Sequence, residues 1–89
     1  MNVIHIFAQL LSEKMNKKLL PCEGFIRLAF QDANLDPNSS RYEGYKKVFG
    51  QYLKSRLEWV EKDNDKVTQI VKYMRSELTK NQAVFTMGA

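Results

Sequence analysis

A chain of 89 residues with 44% hydrophobic and 27% charged side chains is long enough for one modest core and too apolar for disorder. A single folded domain over 1–89 is expected, burying about 60–65% of the surface its unfolded chain exposes. Fourteen Lys and Arg against ten Asp and Glu give a formal charge of +4, which favours acidic partners through long-range steering but does not name one.

One cysteine and one histidine leave no internal disulfide and no Cys/His zinc set. The leading MNVIHIFAQLL lacks the positive start of a signal peptide, and His5 and Gln9 interrupt it, so no membrane span is expected and the cytoplasm is the expected compartment. In chain order, Val3, Phe7, Leu10, Leu11 and Met15 recur at three-and-four spacing. They predict a first helix over about 2–19 with Asn2 as its cap. Lys14 and Lys18 continue the apolar line, so their stems should lie on apolar surface with the ammonium groups in water.

Leu20-Pro21 closes that helix and opens a second over about 21–33. Proline pushes the preceding residue out of the α region and is itself welcome at a first helical position. Along the second helix Cys22, Ile26, Ala29 and Ala33 share one line, with Phe25 and Phe30 beside it and Leu28 beyond. Only Glu23, Arg27 and Gln31 form a polar edge. A rod apolar most of the way round needs neighbours on several sides, so we expect it at the centre of the fold, buried.

Residues 34–40, NLDPNSS, are the densest run of turn formers and the longest connection. Ser40 and Glu43 have the spacing of a capping box, starting a third helix over about 41–62. Its broad apolar face holds Tyr45, Val48, Phe49, Tyr52, Leu53, Trp59 and Val60, with Leu57 on a shoulder and Arg56 in the middle. Gly44 and Gly50 each cost such a helix about 1 kcal/mol relative to alanine, which points to close approach of a neighbouring helix. After a break at Lys62 to Asp65, capped by Asp63 or Asn64, a fourth helix over about 65–81 buries Val67, Ile70, Val71, Met74 and Leu78. Phe85 falls on the same stripe, so residues 82–89 can prolong that helix, fold over separately or trail as a tail. The fold expected is all-α, a four-helix bundle with mostly antiparallel neighbours around the second helix.

The stretch Asp32 to Glu43 resembles an EF-hand calcium loop, with oxygen-bearing side chains at its odd positions up to the ninth and a glutamate at the twelfth. Pro37 stands where that loop turns on a glycine, and Ser40 and Glu43 are committed to the capping box, so no metal is assigned. Cys22 lies on the buried line as a small apolar group, and His5 faces away from Val3 and Phe7. Without a nucleophile and base at workable spacing, no catalytic residue and no cofactor are assigned, and the chain is not expected to be an enzyme.

Arg56, amid aromatic residues, can stack on Tyr or Trp, pair with a carboxylate or meet an acidic group on a partner; alternatively, the helix simply leaves the core there. Tyr42, Tyr45, Phe49, Tyr52 and Trp59 on one helix exceed what one neighbour covers, so either that face packs on the first and second helices from both sides or Tyr45, Tyr52, Arg56 and Trp59 are partner-binding residues. The expected function is a non-enzymatic interaction or regulatory module presenting helix surfaces to a protein partner or to a second copy of itself. The alternative is a small basic protein that binds nucleic-acid phosphate backbone. That requires Lys14, Lys17, Lys18, Lys46 and Lys47 to converge, and the connection before the third helix is too long for a helix-turn-helix.

Overall fold

Four helical rods and a short terminal turn account for residues 3–87, which the computed structural model describes. They are α1 (Val3–Met15), α2 (Leu19–Asp32), a third rod built of α3 (Tyr42–Lys47), a π-helical segment (Val48–Tyr52) and α4 (Leu53–Val60), then α5 (Asn64–Lys80) and the turn α6 (Val84–Met87). The Asn2 cap and the last two residues of the expected tail, Gly88 and Ala89, lie outside the described residues. The architecture is the all-α, four-helix domain the periodicities predict, with no strand among the described residues.

The rods form a ring: α1 packs on α2, α2 on the π segment and α4, the third rod on α5, and α5 back on α1. Its middle is filled by side chains rather than by a helix. Phe30 and Tyr45 meet edge to face at 4.6 Å, Phe7 and Phe49 at 5.3 Å, and Phe85 closes over Tyr45 at 5.1 Å. The expectation of α2 at the centre is therefore corrected. It is one wall, burying Cys22, Ile26, Ala29 and Phe30 while Leu20 stands 78% exposed and Leu28 faces outward. In a ring of four rods each contributes one stripe, and no rod can be enclosed on all sides.

Helix ends explain the remaining boundary differences. The break after α1 comes at Asn16, in the left-handed region at φ 54°, not at Leu20-Pro21. Lys17 N–H bonds to the Ser12 carbonyl at 3.1 Å, and the Ser12 hydroxyl donates back to the Lys17 carbonyl. That six-residue closure is a Schellman stop, which asparagine tolerates almost as glycine does. Pro21 thus becomes the third residue of α2, where its missing N–H is one of those a helix leaves unpaired anyway. α2 ends the same way: Asn34 has φ 57°, and the Asn34 and Leu35 N–H groups reach the Gln31 and Phe30 carbonyls, both at 3.0 Å.

The Ser40–Glu43 capping box does not form. Arg41 takes the cap position of α3 without a side-chain bond, because the Ser40 hydroxyl donates to the Asp36 carbonyl at 2.7 Å. Asp63 does cap α5, accepting from Asp65 N–H at 2.9 Å. At the other end Phe85, in α6, is buried, and its carbonyl accepts from Arg41 Nη1 at 2.9 Å. The terminal segment folds over separately instead of trailing.

The largest correction lies inside the third rod. Leu53 N–H bonds to the Val48 carbonyl, five residues back, so this turn accommodates one residue more than an α turn would. Everything beyond is set back by one position, about 100° around the axis. Leu53 and Leu57 consequently lie inside, Arg56 moves to the flank and Trp59 turns out. Neither glycine of this rod admits a neighbouring helix backbone. A methyl on Gly44 would sit 3.1 Å from Ser40 Cβ in its own loop, whereas one on Gly50 would rest 3.8 Å from Arg75 Nε, an ordinary contact. Gly50→Ala should therefore stabilise the fold by about 0.5–1 kcal/mol, raising the melting temperature by a few degrees. Gly44→Ala should gain less, and thermal melts of the two variants followed by circular dichroism check the ordering.

Candidate functional site

Between the third rod and α5 lies a cleft of about 510 Å³. Tyr42, Lys46, Gly50 and Lys54 supply one wall, and Thr68, Val71, Lys72, Arg75, Ser76 and Thr79 the other. The sequence builds each wall by helical repetition. Lys46, Gly50 and Lys54 stand four residues apart on the rod, and Thr68, Lys72, Ser76 and Thr79 follow at four, four and three on α5, so each set shares a face. The inner faces of the same helices hold Val48, Phe49 and Leu53 opposite Val67, Ile70, Val71 and Met74, and that packing fixes the separation of the walls.

The electrostatics of the cleft are one-sided. No carboxylate lines it. The ion pairs among the described residues are His5–Glu23, Arg56–Asp32 and Lys80–Glu77, so Lys46, Lys54, Lys72 and Arg75 have no counter-charge at contact distance among the described residues. Arg75 lies across Gly50 and also borders an adjoining shallow groove shared with Lys46, Lys47 and Gln51, where Glu43 is the acidic member. Like charges gathered between low-dielectric walls raise the local positive potential. Tyr42 and Thr79 close one end through a 3.3 Å contact between their hydroxyls. The Thr68 and Ser76 hydroxyls make no hydrogen bond to described residues, which leaves two neutral donors beside the cations.

The residues singled out from the sequence are scattered by this geometry. Tyr45, proposed for a binding surface, is 1% exposed; its hydroxyl donates to the Pro37 carbonyl at 2.9 Å, and its ring belongs to the central cluster. It is a core residue, because it precedes the π turn and lies squarely on the inner face. Arg56 meets Asp32 through two 2.7 Å hydrogen bonds and stands 5.3 Å over the Trp59 ring. That pairing holds the Asp32 carboxyl below its usual range. Tyr52 is half-buried, and Trp59 is 72% exposed.

The five lysines of the nucleic-acid alternative do not converge. Lys46 and Lys47 reach the basic cleft and its adjoining groove. Lys14 and Lys17 line a different groove with Val60, Glu61, Lys66 and Ile70, where Lys14 Nζ stands 5.1 Å over the Tyr73 ring. Lys18 sits at the cap of α2. The cations that do join Lys46 are Lys54, Lys72 and Arg75. Their signals are present in the sequence: Lys46 and Lys54 lie two helical turns apart, and no acid occurs between Lys66 and Ser76. What the sequence does not carry is that these two helix flanks face each other.

Other candidates have structural roles. Cys22 is buried, and desolvation pushes its thiol pKa up, away from reactivity. Asp32 is engaged by Arg56, and Asp36 accepts from Asn38 N–H at 2.9 Å, so the Asp32 to Glu43 loop is organised by its own turns. Among the described residues no three His, Cys, Asp or Glu side chains gather as metal ligands, and no helix is long and apolar enough to cross a membrane. No family model, no curated protein and no solved structure matches this chain.

Burial pushes the Tyr45 phenol pKa up to about 12, against about 10 in an unfolded chain. Its contribution to stability is fully present below pH ~10 and is lost as the pH climbs toward ~12, because the unfolded chain ionises first. Denaturant melts between these limits should show stability falling by up to ~1.4 kcal/mol per pH unit from this group. Tyr45→Phe should flatten that fall, leaving a smaller slope from Tyr73, whose phenol is also raised by burial and by Glu77 and Glu13.

Proposed function

We propose that this protein is a non-enzymatic interaction module that presents the cleft between the third rod and α5 to an anionic macromolecular partner. The observation that carries the reading is the set Lys46, Lys54, Lys72 and Arg75 around one concavity with no carboxylate in its lining. Clustered cations with no ion-pair partner among the described residues bear the cost of their mutual repulsion, and an incoming anion relieves it. The same lining argues for binding rather than turnover, since cations and hydroxyls there have no base to activate them. The cytoplasm is the proposed setting, in keeping with a single, buried cysteine.

Retention on immobilised heparin tests this. The triple variant Lys54→Glu, Lys72→Glu, Arg75→Glu should elute at distinctly lower salt than the charge-matched Lys14→Glu, Lys17→Glu, Lys66→Glu. Equal loss in both would mean that net charge alone governs retention, and the reading would fail.

A second surface is favoured by Trp59, whose indole is 72% exposed on the flank that also holds the Arg56–Asp32 pair. An exposed tryptophan beside an arginine has the composition of a protein-binding anchor, for another protein or for a second copy of the chain. Sedimentation velocity over a concentration series should show weak self-association that Trp59→Ala removes. A strictly monomeric parent chain would exclude the second-copy form of this reading.

A further inference from the structure

We infer that the partner seated in the basic cleft is a nucleic acid, held by its phosphate backbone without regard to base sequence; this rests on the reading of the cleft as an anion-binding surface.

The charged groups of the cleft are all cations, set among the aliphatic stems of the same side chains. Lysine, arginine and hydroxyl groups line it, which matches the non-bridging phosphodiester oxygens, acceptors that share one negative charge. An acidic protein segment would need something more. Protein partners draw their affinity from apolar or aromatic anchors driven into desolvated pockets, and here the apolar and aromatic lining is limited to Gly50, with no side chain and Arg75 lying across it, Val71, which is buried, and Tyr42, half-buried at one end. The exposed apolar side chains Leu20, Leu28, Leu35, Trp59 and Val60 are all absent from the lining. A phosphate backbone requires no such anchor, because release of its condensed counterions supplies the driving force.

The spacing is compatible. From Thr68 to Thr79 the α5 wall runs about 16 Å at 1.5 Å per residue. Measured along the duplex axis, one strand carries a phosphate about every 3.4 Å, so a wall of that length lies over about four or five phosphates that also wind round the axis, and it meets only those on the side facing it. Lys46 and Lys54, two turns apart on the facing wall, cover about 12 Å of the same path. Adenine has no amide reader here, since no Asn or Gln lines the cleft, and the Tyr42 hydroxyl is tied to Thr79; Arg75 and the lysines, which can also read guanine, are assigned to phosphates. The groove on the other flank of α5 lacks this character, because Glu61, Val60 and Ile70 interrupt its lysines.

Fluorescence anisotropy with a short labelled duplex tests the inference. Binding by the parent chain should weaken with a log–log salt slope of about −3 to −4, roughly a 100-fold loss between 50 and 200 mM salt. Two unrelated sequences should bind within about threefold of each other. Lys72→Glu with Arg75→Glu should cost at least about tenfold and flatten the slope by about two. Lys14→Glu with Lys17→Glu should change affinity less than about threefold. Both pairs are exposed, so circular dichroism should show the fold retained. Polyglutamate competing as well as unlabelled duplex at equal charge would overturn the nucleic-acid assignment while leaving the anion cleft standing. So would heparin retention without duplex binding at 50 mM salt. Equal losses from the two double variants would overturn both.

Discussion

One extra residue in the π turn at Val48–Tyr52 decides what faces inward and what faces outward in the second half of the third rod. Were the rod α-helical throughout, Arg56 would lie at the centre of its inner face and Leu57 on the shoulder. A guanidinium forced into an aromatic core, away from water and from a carboxylate, costs several kcal/mol. The set-back removes that conflict. Leu57 takes the inner position, Arg56 swings to the flank where Asp32 meets it, and Lys54 is carried round toward the line of Lys46 and Gly50. The core and the cleft are two consequences of the same local winding.

The aromatic cluster shows why the remaining surface is electrostatic in character. Phe7, Phe30, Tyr45, Phe49 and Phe85 fill the middle of the ring, and Arg41 pins the terminal turn by the Phe85 carbonyl. A chain this short has little apolar surface to spare once such a centre is closed. What its helices present outward, Leu20, Leu28, Trp59 and Val60 apart, is mostly polar and charged, arranged by periodicity. Where two such flanks converge, fixed charge is the available means of recognition. At physiological ionic strength that field reaches only about 8 Å, so the cations act on a partner already within the cleft more than on distant ones.

Much of the fold is legible in the order of the residues. The inner stripe of α5, from Val67 to Leu78, repeats at three-and-four spacing, and Asp63 ahead of it is a strong cap; both are local properties, and both hold. The end of α2 at Asn34 is equally plain. The break at Asn16 is not, because asparagine's tolerance of the left-handed region competes with Leu20-Pro21 only when the surrounding turn can close on Ser12. Ser40 illustrates the same limit: its spacing to Glu43 fits a cap, but its hydroxyl bonds to the Asp36 carbonyl instead.

By itself the amino-acid order determined four amphipathic helices, the connections after α2 and before α5 and the excess of positive charge, since each depends on neighbours within a turn or two. It also held the cations of the cleft, Lys46, Lys54, Lys72 and Arg75, though not their juxtaposition. Only the tertiary structure decided that α2 is a wall, that Tyr45 is interior, that Arg56 belongs to Asp32 and that two basic flanks oppose each other. Those outcomes depend on how helices rotate and cross when their stripes are buried together, and a one-residue change in winding alters them without altering any local pattern.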